Sequence, residues 1–262
     1  MKNILSKICA QKNIELIEEK KRCSYKTLIK LLNKNKKRNF KQLLIDAQLK
    51  NNNNIIAEIK KASPSAGIII NNYEPENLAI KYEQSGVGAI SILTEKNFFK
   101  GNLDHLSLVH KNSKLPILRK DFIFDSYQIL QSKIYNADAI LLILSILSDN
   151  QTKEFIEIAD NYNLDCLIER HTKIELERAL KIGYPIIGIN NRNLKTLNVN
   201  DDNTINLLTN FPEEFTFVTE SGIKNYDYIK KYNNVGIFNF LIGESILKSN
   251  NINNKIKELK GL

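Results

Sequence analysis

Cysteine is scarce and unpatterned. Cys9, Cys23 and Cys166 are the three in 262 residues. Their separations fit neither a disulfide framework nor a set of zinc ligands, so ordinary thiols are expected. Long apolar runs are missing as well. No stretch of about 18 apolar residues occurs, which excludes a membrane-spanning helix. The opening Met1-Lys2-Asn3-Ile4-Leu5-Ser6 lacks the apolar core of a signal peptide, and a cytoplasmic protein is expected. No internal repeat suggests a solenoid.

Acidic residues are thin at one end only. Residues 1–50 hold 14 Lys and Arg against 4 Asp and Glu, a net +10, while the remainder holds 24 against 25, a net −1. A basic segment raises the possibility of a nucleic-acid partner. The interleaved aromatics of such a surface are lacking, however, since Tyr25 and Phe40 are the only aromatics there. The whole chain is rich in Asn, Lys and Ile, as in Asn51-Asn52-Asn53-Asn54, and that bias accounts for the excess. No nucleic-acid partner is expected, with RNA binding by residues 1–50 as the alternative.

What is present is a change of rhythm near residue 54. Before it, Ile4, Ile8, Leu16 and Ile17 form one helical stripe, and Phe40, Leu43, Leu44 and Ala47 another, separated by Lys34-Asn35-Lys36-Lys37-Arg38-Asn39. After it, short apolar runs alternate with amphipathic stretches. Strands are expected over 54–60, 88–94, 116–119, 138–144, 164–169, 184–190, 215–220 and 235–243. Helices are expected near 75–85, 103–112, 125–135, 150–162, 172–181, 201–210 and 224–232, with a last one over 244–259 interrupted at Ser249-Asn250-Asn251. Asp125-Ser126, Asp149, Thr172 with Glu175, and Asp201 supply capping chemistry. The runs near 90, 140 and 187 are apolar on both faces, as a helix-covered sheet requires. Eight strand–helix units predict a (β/α)8 TIM barrel, with residues 1–262 as one domain of which 1–50 is an N-terminal helical extension. An open doubly wound sheet is the other architecture that fits.

Chemistry gathers where each apolar run ends. In Ile55-Ile56-Ala57-Glu58-Ile59-Lys60 the alternation puts Glu58 and Lys60 on one face, just before the small-residue turn Ser63-Pro64-Ser65-Ala66-Gly67. Lys120, Glu169, Asn190-Asn191-Arg192, Ser221-Gly222 and Gly243-Glu244 end later runs. In a barrel these ends converge on one mouth. Loops after the seventh and eighth strands commonly hold phosphate, and glycine there lets backbone N–H groups reach an anion. Lys60 and Lys120 offer positive charge or a proton, and Glu58 and Glu169 offer acid–base function. Phe99 offers a wall for a flat ring. The set suits a phosphorylated small molecule bearing an aromatic group.

The segments Ala57-Glu58-Ile59-Lys60-Lys61-Ala62-Ser63-Pro64-Ser65, Ile92-Leu93-Thr94-Glu95, Pro116-Ile117-Leu118-Arg119-Lys120-Asp121-Phe122, Gly188-Ile189-Asn190-Asn191-Arg192-Asn193-Leu194 and Thr219-Glu220-Ser221-Gly222-Ile223 resemble the signatures of indole-3-glycerol phosphate synthases. The resemblance runs from about residue 54 to 247. It implies closure of the indole ring in tryptophan biosynthesis. The substrate would be 1-(2-carboxyphenylamino)-1-deoxyribulose 5-phosphate, and the products indole-3-glycerol phosphate, CO2 and water, with no cofactor or metal. By matched motif, Lys120 resembles the general acid toward the ribulose carbonyl and Glu169 the base for dehydration. Lys60 resembles the contact to the substrate carboxylate and a second proton source, with Glu58 and Asn190 as polar partners. Ser63, Arg192, Ser221, Gly222 and Gly243 resemble substrate and phosphate contacts, and Phe99 an aromatic wall. Lys120 is expected to lie among other cations, which would lower its pKa and ease proton release. Glu244 stands where some relatives have Ser. An anionic side chain there must turn from the phosphate, leaving the backbone N–H as donor and Ser245 as substitute. The resemblance also implies a monomer, with weak association with other tryptophan-pathway enzymes as a further expectation. A phosphate-binding barrel isomerase of amino-acid synthesis is the alternative, although such an isomerisation does not call for all of Glu58, Lys60, Lys120 and Glu169.

Overall fold

The computed structural model describes residues 4–32, 35–207, 212 and 214–262. Numbering the barrel strands alone, β1 (Asn54–Ile59), β2 (Ala89–Leu93), β3 (Ile117–Lys120), β4 (Ala139–Ile143), β5 (Asp165–Arg170), β6 (Ile186–Asn190), β7 (Thr216–Glu220) and β8 (Asn239–Ile242) form a closed parallel barrel in which β8 pairs with β1. This is the (β/α)8 architecture, and the open sheet is excluded. Helices α1 (Ile4–Arg22), α2 (Tyr25–Lys30) and α3 (Phe40–Leu49) precede the barrel. Helices α4 (Pro75–Gln84), α5 (Asp104–Asn112), α6 (Ser126–Ile134), α7 (Asp149–Asn161) and α8 (Lys173–Ile182) follow β1 to β5 in turn. After β6 and β7 come α9 (Asn203–Leu207) and α10 (Tyr226–Asn233), and after β8 come α11 (Glu244–Leu247) and α12 (Ile252–Lys260). The rest of the helix expected over 201–210 lies outside the described residues, as does Lys34 in the expected break. Among the described residues no helix is long and apolar enough to cross a membrane.

The helix starts follow the expected capping chemistry at α6 and α8 but not at α7 or α9, where Asp201 lies two residues before Asn203 and its carboxylate accepts from the Tyr228 hydroxyl at 3.2 Å. Asp125 accepts from Tyr127 N, and Thr172 forms a capping box with Glu175. At α7 the cap is Ser148, boxed with Gln151, and Asp149 is the first helical residue, where its charge favours the amino end of the dipole. In α1 the buried positions are Leu5, Ile8 and Leu16, while Ile17 is 47% exposed. Ile8 and Leu16 are thus buried as expected, Leu5 is the more buried of the Ile4-Leu5 pair, and Ile17 falls off the packed face.

Two apolar layers divide the strands by their period of two. Ile55, Ala57 and Ile59 face the helices, together with Ile168, Ile187 and Ile189. Ile56, Leu118, Leu167, Val218 and Leu241 fill the barrel interior. Two residues beyond each interior group the chain reaches the mouth, which puts Glu58, Lys120, Glu169, Glu220 and Gly243 there.

The N-terminal helices close both ends of this cylinder. Leu5 and Ile8 of α1 and Phe40 and Leu44 of α3 join the interior core. α3 sits under the amino ends of the strands, where Asp165 accepts from Lys41 N at 2.8 Å and Lys37 Nζ at 2.8 Å, and Asn239 Nδ2 donates to Leu44 O at 3.0 Å. Lys12 and Lys20 pair with Asp121 and Asp125 of the barrel loops. Part of the basic excess of residues 1–50 thus fastens the extension to acidic groups of the barrel.

Asp138, just before β4, accepts from Arg38 N at 2.8 Å and Ile117 N at 2.9 Å. Burial pushes its carboxyl up to about 6, against these two bonds. With the folded value above the unfolded one, this group favours the fold most at low pH, and the contribution is lost as pH rises through about 6. Asp138→Asn removes the titration. Between pH 4 and 7 the unfolding free energy of the variant relative to the parent chain should shift by about 2 kcal/mol in the variant's favour. Urea melts at the two pH values check this, and a difference independent of pH would contradict it.

Candidate active site

The mouth opens into a cavity of about 550 Å³ whose lining includes Glu58, Lys60, Lys120, Glu169, Asn190 and Glu220. At its floor Lys120 Nζ lies 2.5 Å from Glu220 Oε2 and 3.2 Å from Glu169 Oε2. Beside them Lys60 Nζ lies 2.5 Å from Glu58 Oε2, as their shared strand face requires. Three buried carboxylates and two ammonium groups therefore meet in one place.

This arrangement corrects the expectation that Lys120 lies among cations. Burial alone would lower its pKa, but Glu220, Glu169 and Glu58 reverse the sign and hold the ammonium above the ordinary lysine range. Glu220 moves the other way from most paired carboxylates. Burial pushes it up to about 8, with Glu169 and Glu58 adding and Lys120 opposing. A proton on Glu220 at neutral pH leaves two carboxylates facing two ammonium groups, the combination that buried charges favour. Lys120 stays an ammonium in either case.

Glu220 belongs to this floor although the sequence reading gave it no role. Its sequence signal was available: it ends an apolar run two residues past Val218, as Glu58 ends one two residues past Ile56. Two glycines leave room for these carboxylates. A Cβ at Gly188 would run into Glu220 Oε1, and one at Gly243 would run into Glu58 Oε2. Gly243 thus makes space for a carboxylate, besides its expected place in the phosphate loop.

The corner expected to hold phosphate lies at the rim. Ser221 and Gly222 take φ of 65° and 84°, two consecutive left-handed residues. Such a turn presents successive N–H groups as an anion-binding concavity. The strain of a left-handed Ser is characteristic of a binding site. A side chain at Gly222 would also collide with Asp201 Oδ1. Arg192 Nη1 donates to Leu197 O at 2.9 Å and Ser65 Oγ at 3.2 Å, which ties the loop after β6 to the loop after β1. Asn190 Oδ1 accepts from Arg192 N at 2.9 Å, and Ser63 Oγ accepts from Ala66 N at 3.2 Å. Glu244 lines the rim with its carboxylate 2.6 Å from Lys248 Nζ and 4.0 Å from Arg192 Nη2. The Lys248 bond holds its pKa low. Ser245, expected as a substitute donor, has its hydroxyl on Ile223 O at 2.9 Å.

The opposite wall is apolar. Phe99 stacks at 6.2 Å between centroids on Phe122, which the sequence reading did not single out. Ile4, Leu5 and Ile8 of α1 complete this wall. One end of the cavity thus suits an anion and the other a flat apolar group, with paired charges between them.

Fold and site together define a (β/α)8-barrel enzyme with paired carboxylates and ammonium groups at the floor of its mouth. Solved structures agree on the fold. 3-Hexulose-6-phosphate synthase from Salmonella typhimurium superposes with a TM-score of 0.62 at 10% identity, over 79% of this chain and 97% of that one. The model of the family "Indole-3-glycerol phosphate synthase" matches residues 5–259. The indole-3-glycerol phosphate synthase of Endomicrobium trichonymphae is 44% identical over 98% of this chain and 99% of its own length. That of Acetivibrio thermocellus is 44% identical over 99% of this chain and 100% of its own. The chain belongs to the indole-3-glycerol phosphate synthase family, the carboxy-lyases of tryptophan biosynthesis. The isomerase alternative is set aside.

The space left by Gly188 gives a direct test of the charge cluster. Gly188→Ala should fold, because after Glu220 Oε1 the next two nearest atoms to the added Cβ are Leu167 side-chain atoms at 3.4 Å. It should displace Glu220 and lower kcat by ~10–100-fold. Wild-type kcat with an unchanged circular dichroism spectrum would show that the placement of Glu220 is not critical.

Proposed function

We propose that this mouth closes the indole ring of 1-(2-carboxyphenylamino)-1-deoxyribulose 5-phosphate, and that the observation carrying the reading is the Lys120 ammonium held between Glu169 and Glu220. The phosphate occupies the turn at Ser221-Gly222 and the N–H of Gly243, with Arg192 nearby and Ser63 at the adjoining loop. The benzoate ring lies against Phe99 and the α1 wall. Lys60 meets the substrate carboxylate, oriented by Glu58.

In the first step the ring carbon bearing the carboxylate bonds to the ribulose carbonyl carbon, and the carbonyl oxygen takes a proton from Lys120. A high ammonium pKa suits this role, because the acid is loaded throughout the neutral range. The oxygen becomes an alkoxide as the bond forms, and an alkoxide is basic enough to take the proton. Loss of CO2 then returns its bonding electrons to the ring and restores aromaticity. Departure of the hydroxyl as water, with Lys60 as proton source and Glu169 removing the remaining proton, gives the indole. Asn190 stands beside this path as a polar contact. Glu244 engages Lys248 and Arg192, and the backbone serves the phosphate at that position.

Roof, floor and barrel share one apolar core, which supports reading residues 1–262 as one domain. All the groups named come from one chain, which supports a monomer as the working unit. A small phosphorylated substrate fits a cytoplasmic enzyme.

The chain contains no tryptophan, so indole emission from a reaction mixture reports product alone. Incubation with the carboxyphenylamino-deoxyribulose phosphate should make that emission rise, and a flat trace from folded protein would sink the reading. Lys120→Arg and Lys120→Met should lose nearly equal activity, since Arg keeps the charge but its larger, planar guanidinium does not reproduce the compact ammonium aimed at the carbonyl oxygen. Arg activity close to wild type would reduce Lys120 to an electrostatic role. Glu169→Gln should fold and turn over ~10²–10⁴-fold more slowly, because Gln accepts hydrogen bonds but no proton. Near-normal kcat would remove Glu169 from the mechanism.

A further inference from the structure

Lys12 interrupts the apolar stripe by which α1 packs on the barrel. Leu5, Ile8 and Leu16 of that stripe are buried. Lys12 lies four residues past Ile8, on the same face. Its side chain is 11% exposed, and its Nζ lies 2.6 Å from Asp121 Oδ1. Asp121 directly follows Lys120, and its side chain is 1% exposed. The other donors to this carboxylate belong to the barrel. Thr94 Oγ1 and Arg119 Nη2 reach Oδ2 at 2.6 and 2.9 Å, and Phe122 N reaches Oδ1 at 2.8 Å. Lys12 is the tie from Asp121 to the helix whose Ile4, Leu5 and Ile8 wall the reaction cavity. Asp121 also separates that cavity from a second, polar one of about 220 Å³, which Lys12, Glu15, Arg119 and Gln131 help to line.

We propose that Lys12 is a positioning residue for ring closure, fixing the α1 wall and the Lys120 ammonium relative to one another through Asp121. The proposal rests on reading Lys120 as the proton donor. β3 ends at Lys120, so the next residue sets where the strand end is anchored. Thr94 and Arg119 anchor Asp121 to β3 and the end of β2. Lys12 adds the link to the wall that meets the aromatic end of the substrate. With that link, the attacking ring carbon and the proton that the carbonyl oxygen receives are held in one frame, and errors of about 1 Å in such a frame are costly in rate. Without Lys12 the Asp121 carboxylate retains Arg119, and α1 retains the Lys20–Asp125 pair and the Gln131 Nε2 to Glu19 bond, so the chain has what it needs to fold.

The test compares Lys12→Met and Lys12→Arg with the wild type by steady-state kinetics and circular dichroism. Lys12→Met should lower kcat by about 10-fold or more and raise KM, whereas Lys12→Arg should recover kcat to within about threefold of wild type. A Lys12→Met kcat within about twofold of wild type overturns the proposal, even if KM rises or the melting temperature falls, because α1 would then be a wall and nothing more. Lys12→Arg as impaired as Lys12→Met overturns it too, since the ion pair would not be the cause. Should Lys12→Met fail to fold, Lys12→Gln is held to the same kcat criterion. Lys120→Met is measured alongside: wild-type kcat there would sink the proton-donor reading itself, separately from the part given to Lys12.

Discussion

An ammonium group buried against three carboxylates is stable only if the charges around it nearly cancel, and much of this molecule is arranged to meet that condition. Lys120 touches Glu169 and Glu220, and Lys60 touches Glu58. With Glu220 protonated, removing Lys120, Lys60, Glu58 or Glu169 leaves a surplus charge in a dry place, where an unpaired ion is costly. The barrel meets the condition through its period of two. Each strand delivers one side chain to the interior and the next one on that face to the mouth, so eight ordinary strands bring widely separated residues within hydrogen-bonding range. Gly188 and Gly243 are small because the carboxylates beside them need the volume.

The same geometry explains how much could be read from the sequence. Strand positions and the mouth residues Glu58, Lys60, Lys120 and Glu169 follow from local patterns: an apolar run, its end, and the rule that barrel strand ends converge. The pairing of Lys120 with Glu220 spans 100 residues, and no local pattern encodes it. The electrostatic character of Lys120 was misjudged for that reason. Neighbours in the chain are Arg119 and Asp121, but both side chains turn out of the barrel interior into a separate network. Ser148 and Asp149 are both competent helix starters, so sequence alone could not choose between them. The start of the α1 stripe reflects a similar ambiguity, since Ile4 and Leu5 are adjacent and only the packed barrel decides which is the more deeply buried.

The site also divides its labour between rigid and strained backbone. The acid–base groups stand on strands, where pairing on both sides fixes them. The rim corner proposed for phosphate stands on the left-handed pair Ser221-Gly222, a strain of the kind binding sites carry. Arg192, bonded to Ser65 and Leu197, braces this corner against the loop that follows β1.

The floor contributed by α3 has a consequence for how the chain assembles. Leu44 O receives its bond from Asn239, 195 positions later, and Asp165 is 124 positions beyond Lys41. The helix that leaves the ribosome before the barrel strands has its partners on strands that leave well after it. Until β8 emerges, Phe40 and Leu44 have no finished cylinder to cap, and their apolar faces are exposed to whatever else is nearby. Contacts of such separation slow folding and prolong this exposure.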